Sequence, residues 1–403
     1  MRIASRLVRV ALGILILLVL AGGGGFLWLW TSPYWAGITL FSDDKWVENF
    51  RTMERVFPYR DVAASGSVWA FTSDPRPLSQ TYRYNGELRD TATFLDETQT
   101  TGLIVVHDGS IAHEEYRLGA TETSRFTSWS MAKSVLSALV GIAVEEGHIG
   151  SLADRIDQYV PELAGSGYDG VTIEDALTMS SGVSFDEDYG NPFSDVNMLF
   201  FKLAAGADMR DTLVTLVNDR PAGTYNNYIS SDSIAIGLML EAATGMPLER
   251  YLEARLWTPM GAESDAFWNT GRAGAVLPFC CLNARLRDYA RFGRLYLMSG
   301  RRGSHQIVPS DWVTNSTRPI GPHLEPGENP ASSWTFGYGY HWWIPEAPED
   351  EFLAIGIWGQ YIYVDRVRRI VIIKSSADPD FDTRDHETVA VFRAISKSIV
   401  DGR

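Results

Sequence analysis

The spacing of apolar positions changes several times along this chain, and each change marks a different kind of element. From Val10 to Trp30 the run is apolar throughout, roughly the 20 residues that a membrane-spanning helix needs. Arg2, Arg6 and Arg9 precede it, which favours an N-terminus on the inside, and Trp28, Trp30, Tyr34 and Trp35 suit the far interface. A cleavable signal peptide is the competing reading, with Val19-Leu20-Ala21 as its cleavage site, although Phe26 to Trp30 continues the apolar run past such a cut. On either reading residues 1–35 form a membrane anchor or signal segment and the main body is exported, to a periplasmic or other extracytoplasmic location. Residues 36–95 read as an extension, with a short amphipathic helix from Trp46 to Phe57 and a loop from Ser73 to Pro77.

From residue 96 to 403 the period alternates between that of strands and that of helices. Thr101 to His107 is a strand, Asp108-Gly109 a hairpin turn, and Ile111 to Tyr116 the returning partner. A helix that is apolar nearly all round follows Ser130 and stops at Gly147. Residues 151–255 are mainly helical: Thr172 caps one helix, and Asp211–Val217 and Asp232–Thr244 are others. Arg285–Met298 is a further helix. Phe336–Ile344, Phe352–Ile357, Tyr361–Val364 and Ile370–Lys374 are strands rich in β-branched and aromatic residues, and Glu387–Val400 closes as a helix. Strands at both ends of a helical middle predict an α/β chain of the α+β type. Its antiparallel sheet is flanked by helices and joined to a mainly helical subdomain.

Composition narrows the function. A net charge of −15 leaves no basic face for phosphate groups, which argues against nucleic-acid binding. The seven histidines are scattered without a His-x-x-x-His pair, so no metal is expected. Cys280 and Cys281 are adjacent. They cannot staple distant segments, a bond between them would close a strained ring, and two small buried residues is the simpler reading. The sequence leaves the oligomeric state open.

The chemistry centres on Ser130-Met131-Ala132-Lys133 at the start of the apolar helix. Positions three apart share a helix face, so Lys133 can lean back toward the Ser130 hydroxyl. Burial lowers a lysine pKa by disfavouring the ammonium, and free N–H groups at a helix start favour a developing negative charge. Ser42-Asp43-Asp44-Lys45 has the same spacing but lies in a polar, acidic stretch where the lysine stays solvated and charged. The bland alternative for the first copy is a core helix that begins with a serine and carries one snorkelling lysine.

Further stretches, in order, carry a resemblance. They are Phe126 to Ser134; Met179-Ser180-Ser181-Gly182-Val183 running into Phe185 to Tyr189; Pro221-Ala222-Gly223 with Tyr228-Ile229-Ser230; Gly261 to Ala266; Arg287 to Gly293; and Gly356 to Gln360. From about Leu95 to the C-terminus the chain resembles the serine β-lactamase and penicillin-recognising superfamily, class C-like in layout. Within it, the chain is most similar to 6-aminohexanoate-dimer (nylon-oligomer) hydrolases and related esterases. The resemblance implies that Ser130 is the nucleophile, that Lys133 helps to deprotonate it, and that Tyr228 shuttles the proton to the leaving group, with Tyr225 the alternative if the register is shifted. A protonated Lys133 is expected to lower the phenol pKa of Tyr228. It further implies an oxyanion hole from the backbone N–H groups of Ser130 and Ile357, and substrate contacts from Tyr189, Ser230, Gly356 and Trp358. Where β-lactamases have Lys-Thr-Gly, this chain has Ala354-Ile355-Gly356-Ile357, which puts antibiotic hydrolysis in doubt. The expected activity is hydrolysis of small esters or linear amides through an acyl-enzyme, with no cofactor. The rivals are a penicillin-binding or β-lactamase activity and a non-catalytic scaffold of the same fold.

Overall fold

The computed structural model describes residues 22–27, 30 and 33–402. Most of the Val10–Trp30 run therefore lies outside the described residues; among these, no helix is long and apolar enough to cross a membrane. The principal elements are β1 (Thr100–His107), β2 (Ser110–Tyr116), α1 (Met131–Glu145), α2 (Ser230–Thr244), α3 (Leu286–Leu297), β3 (Glu351–Gly356), β4 (Gln360–Asp365), β5 (Ile370–Ser376) and α4 (Asp385–Asp401).

The main sheet runs Gly337–Tyr338, Trp343–Ile344, β3, β4, β5, β1, β2 and Thr72–Ser73. Its pairings are antiparallel except the last, where Thr72–Ser73 lies parallel to β2. The C-terminal strands thus dock on the first hairpin, Val371 opposite Val106 and Ile373 opposite Ile104. Strands β1, β3, β4 and β5 are buried on both faces almost throughout, which explains why they read as nearly continuous apolar runs. Alternation sends Ile104, Val106, Val371 and Ile373 into the core that also holds the apolar side of α1. Leu103, Val105, Ile370 and Ile372 point the other way and pack with Val391, Phe392 and Ile395 of α4.

Residues 151–255 contain helices and no strand among the described elements, with α2 as their buried centre. Thr172 caps Ile173–Leu177 in a capping box with Asp175. The helix Asp195–Ala205, capped by Ser194, was not expected from the sequence, whereas the one expected over Asp211–Val217 forms at Met209–Leu213.

Other expectations need correction. Trp46 to Phe57 is not one helix: a turn of α-helix covers Trp46–Asn49 and a 3₁₀ turn covers Met53–Arg55. The side-chain amide of Asn49, at the end of the first turn, donates to the carbonyls of Thr39 and Leu40, tying this segment to the chain before it. Phe336–Ile344 is a tight hairpin of two-residue strands, turned at His341, whose φ is +58°. Much of the extension is built into the body, since Tyr59–Val62 pairs with Ala266–Asn269 in a second, four-stranded sheet. Cys280 and Cys281 are joined to each other as a disulfide and are buried. The left-handed backbone of Cys281 (φ +67°) makes the turn in which this ring closes.

Candidate active site

The site is organised by the way α1 begins. Trp129 takes a left-handed backbone conformation (φ +41°) and turns the chain into the helix. Ser130 occupies the N-cap position but already has helical backbone angles, and its hydroxyl makes no capping hydrogen bond. A serine at this position ordinarily uses its oxygen on the helix's own free N–H groups. Here that oxygen is left for Lys133, whose Nζ donates to Ser130 Oγ at 3.0 Å.

Lys133 is only 1% exposed. Its Nζ also donates to the Phe279 carbonyl at 2.9 Å and to Ser230 Oγ at 3.3 Å. Burial pulls its pKa down to about 8, while the negative charge of Glu187 opposes the shift. The helix start is pinned from behind by the loop at His341. Ser134 Oγ donates to the His341 carbonyl at 2.6 Å, and His341 Nδ1 lies 3.0 Å from the Lys133 carbonyl. Burial pushes the His341 pKa down to about 3, so the ring is neutral and donates there.

Tyr228 lies just before α2. Lys133 Nζ sits 4.9 Å from the centre of its ring, and the Ser130 hydroxyl is near enough to its phenol to oppose the rise in its pKa. Trp343 stacks on it at 5.2 Å. Tyr225 is elsewhere, under the Arg220 guanidinium at 3.9 Å. The Tyr228 phenol is held above its ordinary pKa, first by burial and then by the charge of Glu187. It is therefore a protonated phenol and not a ready phenolate.

Glu187 is the residue that sequence reasoning quoted but gave no role. One of its oxygens accepts from Ser230 Oγ and from Tyr189 OH, each at 2.6 Å; the other accepts from the Ser230 amide at 2.8 Å. The carboxylate thereby fixes Ser230 against Lys133. Its signal was proximity in sequence to Tyr189, which is too weak to separate it from Asp186 and Asp188. Ser230, expected on the substrate side, is fully buried and its hydroxyl is committed to Lys133 and Glu187.

In front of Ser130 lies a cavity of about 640 Å³, lined by Tyr189, Tyr228, Gly356, Ile357 and Trp358 among others. The end of β3 reaches it through Ile355 and Gly356. A Cβ added at Gly356 would lie 3.1 Å from the Ser130 amide nitrogen and 2.5 Å from the Ser128 carbonyl, so only a glycine lets this strand approach the helix start so closely. The turn after β3 continues through Ile357 to Trp358, which has a left-handed backbone (φ +63°). Among the described residues, no group of three or more His, Cys, Asp or Glu side chains is placed to hold a metal ion.

The family model described as Beta-lactamase matches residues 89–394. The chain belongs to the Beta-lactamase family. It is a hydrolase of that serine-hydrolase family by descent, and its relatives show which branch it resembles. The 6-aminohexanoate-dimer hydrolase of Paenarthrobacter ureafaciens is 30% identical over 307 residues, covering 74% of this chain and 77% of that protein. Among solved structures, "Putative 6-aminohexanoate-dimer hydrolase from Bacillus anthracis" superposes with a TM-score of 0.80 at 23% identity, covering 90% of this chain and 95% of the other. A family VIII carboxylesterase superposes with a TM-score of 0.60 at 18% identity, covering 76% and 94%. At these identities the two structural likenesses speak for the fold alone.

Proposed function

We propose that this Beta-lactamase-family chain hydrolyses small esters or linear amides in two steps, through an acyl-enzyme on Ser130. The observation that carries the reading is the Lys133 amine, 3.0 Å from a serine hydroxyl that the helix does not use as a cap. In the first step Lys133 Nζ takes the Ser130 proton as Oγ bonds to the carbonyl carbon. The carbonyl π electrons move onto oxygen, where the N–H groups of Ser130 and Ile357 receive the negative charge. The Tyr228 phenol then gives its proton to the leaving alcohol or amine and is re-protonated through Lys133. Collapse of the tetrahedral species expels that group. Water enters by the reverse path and releases the acid.

The choice of substrate rests on two supports. A relative that aligns with most of this chain is named a 6-aminohexanoate-dimer hydrolase. Among the described residues, no lysine or arginine side chain lines the cavity, so the carboxylate that accompanies a β-lactam ring has no cationic partner among them. The apolar run from Val10 to Trp30 and the arginines before it support export with a membrane tether as part of the same reading, and fractionation of cells expressing the full chain tests that portion.

The function is tested by screening the protein against nitrophenyl esters and linear amides, with Ser130→Ala as control. Turnover is expected to fall by about 10³-fold or more in the variant, as when a nucleophile is removed, with an unchanged circular dichroism spectrum. Equal rates in the two proteins would remove Ser130 from the mechanism.

A further inference from the structure

One residue that lines the cavity comes from outside the stretch matching the family model: Phe41. Its ring lies flat on Trp358, with centroids 5.6 Å apart and planes 6° apart, and lies 5.8 Å from Trp129 at 26°. These two tryptophans bracket the two backbone donors proposed above, since Trp129 precedes Ser130 and Trp358 follows Ile357. Both have left-handed backbones, a conformation that bulky residues keep only where the surroundings hold them.

The surroundings here are the N-terminal extension. Phe50 meets Trp129 and Trp358 edge-on at 5.3 and 5.2 Å. Trp46 packs on Trp358 at 5.0 Å and anchors its indole N–H on Gln99. The Phe50 carbonyl accepts from the Thr127 amide, three residues before the nucleophile. Behind Phe41, the buried Leu40 and the Asn49 amide on the Leu40 carbonyl fix the backbone. Phe41 itself stays 47% exposed. A ring fixed at its root, stacked on Trp358 and Trp129 and still nearly half exposed beside the cavity is a wall and not core.

We propose that Phe41 is a specificity-determining residue, which closes the cavity beside Trp358 and limits the size of the acyl group that reaches Ser130. On this view the segment from Leu40 to Phe50 is an active-site element, although it lies some forty residues ahead of the matched domain. The inference rests on the hydrolase reading above, and its test separates the two.

Full-length wild type, Phe41→Ala and Phe41→Trp are compared on two sets of nitrophenyl or aryl esters. One set varies the acyl group from acetyl to dodecanoyl and benzoyl, and the other varies the leaving group on a fixed acetyl. Thermal midpoints are recorded alongside. Phe41→Ala is expected to raise kcat/KM for the bulky acyl groups relative to acetyl by about tenfold, mainly through KM, the scale at which pocket shape discriminates apolar groups. Phe41→Trp is expected to lower that ratio. An unchanged acyl profile, a change confined to the leaving-group set, or an equal fall in kcat on every ester each overturns the proposal. If wild type reacts with none of the esters and Ser130 takes no fluorophosphonate label, the hydrolase reading fails first. Labelled, active wild type with a flat response to Phe41 sinks only this inference.

Discussion

Two lysines in this molecule begin from nearly the same physical position and end with different prospects. Lys133 and Lys374 are each 1% exposed. Burial is the leading cause that lowers their pKa values, to about 8 and about 7. Each amine donates to a serine hydroxyl, Ser130 in one case and Ser376 in the other. What differs is the far side of the serine. Ser130 opens on a cavity at the start of a helix, whereas Ser376 ends a central strand. There Lys374 lies between Leu103 and Tyr361 of the neighbouring strands, with its amine near the rings of Phe94 and Tyr361. A neutral amine is therefore not by itself a sign of chemistry. It becomes one where the hydroxyl it touches can reach a substrate and where N–H groups wait for the charge that forms.

The same substitution at both sites is the sharpest way to break this comparison. Lys133→Met is expected to lower kcat/KM by about 10²–10⁴-fold, the range for loss of a positioned base, as measured on any ester that wild type turns over. Nearly as large is the effect expected of Gly356→Ala. The added methyl meets the Ser128 carbonyl at 2.5 Å and must displace either β3 or the helix start. A shift near 1 Å costs about 10²-fold, and it should appear in kcat with little change in KM.

A smaller effect concerns pH. The amine works as a base only when neutral, so kcat/KM should rise with pH around a midpoint near 8. Glu187 stabilises the ammonium of Lys133. Glu187→Gln should then move the midpoint toward acid, and a profile that stays in place or moves toward alkali would separate Glu187 from Lys133. The smallest effect belongs to the control: Lys374→Met should leave turnover per folded molecule within about twofold of wild type. A collapse of activity there would erase the distinction between the two sites.

Legibility in the sequence followed the range of the forces involved. The hairpin β1–β2, the apolar helix after Ser130, the C-terminal strands and the closing helix were readable because burial imposes a period on consecutive residues. The Asp195–Ala205 helix was missed because its buried positions are few, Val196, Leu199 and Leu203. The turn that splits Phe336–Ile344 was missed because nothing in composition demands a left-handed His341. The bond between Cys280 and Cys281 ran against the geometric expectation for neighbours, and the backbone at Cys281 that accompanies it has no signature in residue type.

By itself the sequence determined the spacing of Ser130 and Lys133 on one helix face, the apolar burial that lowers the pKa of that amine, and the long strands and helices of the core. These are local consequences of side-chain type, readable within a few turns of chain. Only the tertiary structure decided that Tyr228 and not Tyr225 lies beside Lys133, that Ser230 and Glu187 stand behind the amine, and that Phe41 faces the cavity from a segment nearly ninety residues upstream of Ser130. Those placements depend on how separate elements dock, and docking is fixed by the shape of a whole core and not by any one stretch of it.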